Sequence, residues 1–365
     1  MLGIRSRGRG LALALGTGLA SCLGPPPSVP PGPPASAPPP SATPDDTGDG
    51  EPGAPYFSGA AALARVEVLM GWPRGLGDPR RERSIDALAQ MLEMAGAEAV
   101  ERQPLRADDP ATGQSYDLVN LIAHLRPDAP RRFVLATHFD TRPWADEEED
   151  PAAHELPVPG ANDGTSGVAV LLVLLPTLAE ALPPEVGVTV ILFDGEELGR
   201  PGYGGYCMGS RHFAAQAAEQ RPAWLERAEL GIVLDMVGDR DLHLPKEPLS
   251  IGNAPALVDR LWAVARRRGH AQFEDRRRPV GILDDHELLT EAGVPSVLLI
   301  DKEYAPWHTR GDVLAELSAE SLAAVGDTVL HALLELASEP PLGAATGRPH
   351  GEPRRTCGML PRWAG

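Results

Sequence analysis

The stretch GVTVILFDGEELG, residues 187–199, runs an apolar, β-favouring segment straight into two adjacent glutamates, Glu196 and Glu197. A short continuous apolar run closed by a glycine-containing turn reads as a strand buried on both faces, the kind found in parallel sheets. Two neighbouring acids at its end repel each other and resist desolvation, so a compensating charge is expected there. In parallel α/β sheets, ligands gather beyond the carboxyl ends of the strands. The acids stand where a bound cation would.

Working outward, four further runs have the same character: LVNLIAHL (118–125), RFVLATHF (132–139), LGIVLDMV (230–237) and VPSVLLI (294–300). Helical periodicity separates them at 58–70, 81–95, 166–182, 210–219, 255–269 and 318–337. Strands rich in Val, Ile and Leu that alternate with helices predict an α/β fold: a mixed, mainly parallel twisted sheet flanked by helices on both faces. No internal repeat or second linker interrupts residues 56–342, which are expected to form one catalytic domain. Residues 343–365 read as a flexible tail.

The N-terminal region has a separate logic. Arg5, Arg7 and Arg9 precede the apolar run LALALGTGLA and then LASC, which ends at Cys22. Basic, apolar and small-residue segments in that order read as a secretory signal over residues 1–22, with an apolar run too short to span a bilayer. LASC resembles a bacterial lipobox, which makes Cys22 the expected lipidation site; an ordinary cleaved signal with an incidental cysteine is the alternative. Residues 23–55 are Pro-rich and nearly devoid of apolar bulk, a semi-extended tether. The expected location is the bacterial cell envelope, lipid-anchored and facing the periplasm or the cell surface. Cys207 and Cys357 could pair in that oxidising compartment.

A formal net charge of −18 argues against nucleic acid or an anionic membrane surface as a partner, since both need a basic face. The only membrane contact expected is the anchor at Cys22, and the domain is expected to be a monomer.

Metal-binding residue types sit at strand ends. FVLATHFD delivers His138 and Asp140, ILFDGEE delivers Glu196 and Glu197, IVLDMVGD delivers Asp235, VPSVLLI leads through a loop to His308, and PGANDGTSG places Asp163 ahead of a helix. Carboxylates with two imidazoles and no thiolates suit zinc in a catalytic site with an open position. One of the paired glutamates would ligate the ion while its neighbour moves protons.

THFDTRPWAD, PGANDGTSG, FDGEELG, GSRHFA, LDMVGD, DDHELLTEAGVP and WHTRGD follow one another over residues 60–338 in the order found in the zinc aminopeptidase-like family. Within it the chain most resembles the glutaminyl-peptide cyclotransferases, in particular bacterial ones similar to the animal enzyme. That resemblance implies an acyltransferase that cyclises N-terminal glutamine of peptides or proteins to pyroglutamate and releases ammonia. It implies Asp163, Glu197 and His308 as ligands of one zinc ion, and Glu196 as general acid/base. Asp235 and Asp284 would be a substrate-holding carboxylate pair that shares a proton, and Trp307 a pocket wall. Two departures accompany it. The cysteine pair of the animal enzyme is replaced by Thr137 and Val168, and its pocket tryptophan has no counterpart in EELGRPGYGGYC, where Tyr203 or Tyr206 would substitute.

The same residues admit a metallo-aminopeptidase with two zinc ions, His138 and Asp235 completing a second site and Asp163 bridging. NDGTSG leans toward that pattern, DDH and WHT toward the cyclotransferases. A catalytically inactive binding lipoprotein is a third reading, and it predicts loss of a ligand or of Glu196; none is lost.

Overall fold

The computed structural model describes residues 54–340. The signal at 1–22 with Cys22, nearly all of the tether, the tail at 343–365 and Cys357 lie outside the described residues.

A six-stranded sheet runs in the order β1 (Ala99–Asp108), β2 (Ser115–Leu125), β4 (Val186–Phe193), β3 (Arg131–His138), β5 (Ala228–Asp235) and β8 (Ser296–Ile300). β4, β3, β5 and β8 are parallel, while β2 pairs antiparallel with β4 and β1 antiparallel with β2. β6 (Leu244–Lys246) and β7 (Phe273–Arg277) form a separate parallel ribbon. The helices are α1 (Gly59–Met70), α2 (Arg81–Met94), α3 (Ser166–Ala181), α4 (Met208–Gln220), α5 (Ala223–Glu226), α6 (Pro248–Asn253), α7 (Pro255–Arg268), α8 (Asp285–Glu291) and α9 (Ala319–Ser338).

The two faces of the sheet can be read off the strands. In β4, Val188, Val190 and Leu192 join one apolar cluster with residues of α1, α2, α3, α7 and α9, whereas Ile191 and Phe193 join a second cluster with Phe213 of α4, Leu225 of α5 and Leu289 of α8. β3 divides in the same way, Phe133 and Leu135 to the first cluster, Val134 and Ala136 to the second. Alternate side chains point to opposite faces of a strand, so an unbroken apolar run is what a doubly covered sheet requires.

All five strand runs and all six helical segments read from the sequence are present. Three strands and three helices were not foreseen. β1 is an edge strand whose residues are mostly exposed or half-buried, and it contains Pro104, which only an edge tolerates. It therefore has no apolar run. The unforeseen helices α5, α6 and α8 are four, six and seven residues long, too short to show periodicity.

Because β3, β4, β5 and β8 are parallel, their carboxyl ends open onto one edge. His138 closes β3, Glu196 and Glu197 follow β4, Asp235 closes β5, the loop after β8 carries His308, and Asp163 lies just before α3.

Candidate metal centre

Each side chain at this edge is positioned by a specific local device. The Glu196–Glu197 turn begins at Gly195 with φ +70°, a left-handed conformation that glycine adopts without cost. Asp140 then accepts from the backbone of both glutamates, Oδ1 from Glu196 N at 3.2 Å and Oδ2 from Glu197 N at 3.0 Å. The turn is thereby tied to the segment after β3.

Asp163 is held from the opposite side by Asp312. Its carboxylate takes the backbone N–H of Asn162 at 2.7 Å and of Asp163 at 3.1 Å, and receives the Tyr304 hydroxyl at 2.8 Å. Gly164, with φ +82°, turns the chain so tightly that a Cβ there would run into the carbonyl oxygen of Asp140. His308 itself has φ +56°, and Met236 and Cys207, neighbours of site residues, have +48° and +58°. Strained non-glycine residues of this kind concentrate at functional sites.

Two overlapping constellations result. In the first, His308 Nε2 lies 3.5 Å from Glu197 Oε2 and 3.8 Å from Asp163 Oδ2. In the second, His138 Nε2 lies 3.1 Å from Asp235 Oδ1 and 3.2 Å from Asp163 Oδ1. Donor atoms of His138, Asp163 and Glu197 all fall within 4.8 Å of one another. Asp163 belongs to both sets.

The electrostatics are those of acids awaiting a cation. Burial and then the charge of Glu197 push the Asp163 carboxyl up to about 8, and its Oδ2, buried, has no hydrogen-bond partner. Burial also favours a neutral Glu197, but His308 and Arg142 outweigh it and hold that carboxyl well below the usual range. Glu196 is driven well above its ordinary value by desolvation and by Glu197. Asp284, the N-cap of α8, is raised to about 6 by burial and by the charge of Asp235. A divalent ion among two carboxylates and an imidazole would remove the repulsion and engage the orphaned Asp163 oxygen, so the donor set fits zinc.

Glu196 stands apart from the ligand convergence. It is half-buried, and its Oε1 accepts from the thiol of the buried Cys207 at 3.4 Å. Trp307 stacks on His308, centroids 3.7 Å apart at 27°, and the Lys302 ammonium lies 3.0 Å from the indole centroid. Two groups so near one ring centre must lie on opposite faces, so the edge of Trp307 is what it offers a ligand. Of the two tyrosines, Tyr203 is 66% exposed, while Tyr206 sits over Arg142, a neighbour of Glu197.

The reading of the sequence missed Arg142, Asp146 and Asp312. Arg142 donates to Glu197 Oε2 at 2.7 Å, and Asp146 Oδ1 lies 3.4 Å from His308 Nδ1. All three lie in the motifs TRPWAD and WHTRGD, but nothing in their spacing says which ligand they touch.

Comparison with known proteins adds four findings. The model of peptidase family M28 matches residues 120–333. The bovine glutaminyl-peptide cyclotransferase-like protein is 30% identical over 226 residues, 55% of this chain, and the chain spans only 56% of that relative's length. Among solved structures, Fimbriiglobus ruber glutaminyl cyclase is 33% identical with a TM-score of 0.70, covering 76% of this chain and 95% of that one. A Zn-dependent exopeptidase from Parabacteroides distasonis is 30% identical, also at 0.70, over 77% and 98%.

Proposed function

The chain belongs to peptidase family M28, and on that premise we propose that it is a zinc-dependent glutaminyl-peptide cyclotransferase, closing N-terminal glutamine to pyroglutamate with release of ammonia. The observation that carries the reading is the separation of roles between adjacent acids. Glu197 lies in the donor group with His138 and Asp163 and 3.5 Å from His308 Nε2, while Glu196, its neighbour in the chain, is outside that group with a carboxyl pushed toward the protonated form.

Asp163, Glu197 and His308 would hold one zinc ion, which when bound supplies Lewis acidity at the γ-amide carbonyl of the substrate. Glu196 takes a proton from the α-amine as its nitrogen attacks that carbonyl, then hands a proton to the departing ammonia. Asp235 and Asp284 would hold the substrate amine, and the Asp284 carboxyl is raised to about 6 by burial and by the charge of Asp235. Nucleophile and electrophile belong to one residue, so the protein gains chiefly by holding a folded conformer.

A second reading, a metallo-aminopeptidase with two ions, is favoured by one observation: His138 Nε2 is equidistant, within 0.1 Å, from Asp235 and Asp163 at 3.1 and 3.2 Å. Incubating the zinc-loaded protein with a glutamine-terminated peptide and a leucine amide separates the two. Ammonia from the first without leucine from the second supports the cyclotransferase; the reverse, with two zinc ions per chain, overturns it. Export and an anchor at Cys22 enter this proposal from sequence alone, and loss of membrane association in Cys22→Ser is their test.

A further inference from the structure

Glu197 and His308 arrive from different strands, yet one ion pair touches both. Arg142, on the segment leaving β3, has a fully buried side chain. Its fork grips Asp146 four residues on, Nε to Oδ1 at 2.7 Å and Nη2 to Oδ2 at 2.6 Å. The remaining Nη1 donates to Glu197 Oε2 at 2.7 Å. Asp146 Oδ1 in turn lies 3.4 Å from His308 Nδ1, the ring nitrogen other than Nε2, which faces Asp163 and Glu197. The guanidinium carbon is 5.7 Å from the ring centres of both Trp144 and Tyr206, which pack beside the fork.

We propose that the Arg142–Asp146 pair is the positioning unit of the metal centre, fixing the Glu197 carboxylate with Oε2 toward His308 Nε2 and restricting His308 to ligation through Nε2. The inference rests on the zinc reading above, though not on which reaction the zinc serves. Oε2, which Arg142 binds through a charge-assisted hydrogen bond, is also the Glu197 oxygen 3.5 Å from His308 Nε2, so the fork fixes how the carboxylate faces the centre. An imidazole whose Nδ1–H points to a carboxylate presents the Nε2 lone pair, the usual way an outer carboxylate fixes a ligand's tautomer. Only a planar fork can bind two carboxylates at fixed angles; a lysine supplies the charge without the geometry.

The test measures zinc dissociation constants by chelator competition on the full chain as wild type, Asp146→Asn, Arg142→Lys and the double variant, with visible spectra of the cobalt-loaded forms alongside. Each single change is expected to weaken zinc about 10–100-fold, the usual loss for an outer partner. The double change is expected to cost no more than the worse single, because both break one unit. The cobalt bands of Arg142→Lys are expected to shift as the Glu197 carboxylate becomes free to turn. Constants within threefold of wild type with unchanged cobalt spectra overturn the proposal, as do losses that multiply in the double variant. If Asp146→Asn does not fold, the affinity and spectrum of Arg142→Lys decide alone. Failure of the glutamine peptide to release ammonia would sink the cyclotransferase reading and leave these affinities untouched.

Discussion

Replacing Glu196 with glutamine removes a proton carrier while keeping the shape of the side chain. The backbone hydrogen bond from Glu196 N to Asp140 survives, since it involves no side-chain atom of Glu196. The candidate ligands Asp163, Glu197 and His308 are also untouched, since none of the contacts among them runs through the Glu196 side chain. An amide neither takes nor gives a proton near neutral pH, so the loss in kcat should be that of general acid/base transfer, about 10²–10⁴-fold. At about 1.36 kcal/mol per decade this is a barrier increase of about 2.7–5.4 kcal/mol. Burial and Glu197 hold the Glu196 carboxyl well up, so the shuttle works as a base only once a divalent charge nearby lowers it again. The assay follows ammonia release from a glutamine-terminated peptide at saturating concentration, with zinc content measured on the same preparation. Turnover within threefold of wild type, zinc intact, would refute the shuttle; loss of zinc from the variant would make Glu196 a ligand and refute the division of roles.

Other perturbations probe the scaffold of the site. Gly164→Ala forces a side chain into a left-handed position against the Asp140 carbonyl, and is expected to cost at least about 2 kcal/mol in denaturant unfolding; a cost below about 0.5 kcal/mol would show that the turn relaxes. Asp312→Asn puts an amide where a carboxylate accepts three hydrogen bonds, and should lose about 3 kcal/mol of stability together with zinc affinity. A variant of normal stability and affinity would remove Asp312 from the support of Asp163. Far from the site, burial opposes the charge of Asp327, but His270, His331 and Arg268 outweigh it and hold the carboxyl well below its ordinary range. A depressed carboxyl contributes stability above its unfolded pKa of about 3.9, and that contribution fades as pH falls below it. Wild type should therefore melt well above Asp327→Asn at pH 6, with the gap closing toward pH 2; a gap constant with pH would refute the ion-pair account.

The four parallel strands and the principal helices were legible because a doubly covered sheet writes continuous apolar runs into the chain, and amphipathic helices a 3.6-residue period. GVTVILF and RFVLATHF needed no partner to be recognised. Edge strand β1 was not legible, since AVERQPLRAD faces solvent over much of its length and is a strand only because β2 lies beside it. Nor was α8, whose seven residues start at the Asp284 cap.

At the site, the sequence alone determined the residue types at the strand ends and, through the parallel arrangement, that they share one edge. Which atoms face each other was decided only by the tertiary structure. Asp312 reaches Asp163 across 149 residues of chain, Arg142 reaches Glu197 across 55, and Lys302 and His308 close on the two faces of Trp307. The physical reason is that apolar periodicity is a local property recorded residue by residue, whereas hydrogen-bond geometry between distant loops depends on strand register and on left-handed backbone turns such as the one at His308. Those are fixed only when the whole sheet closes.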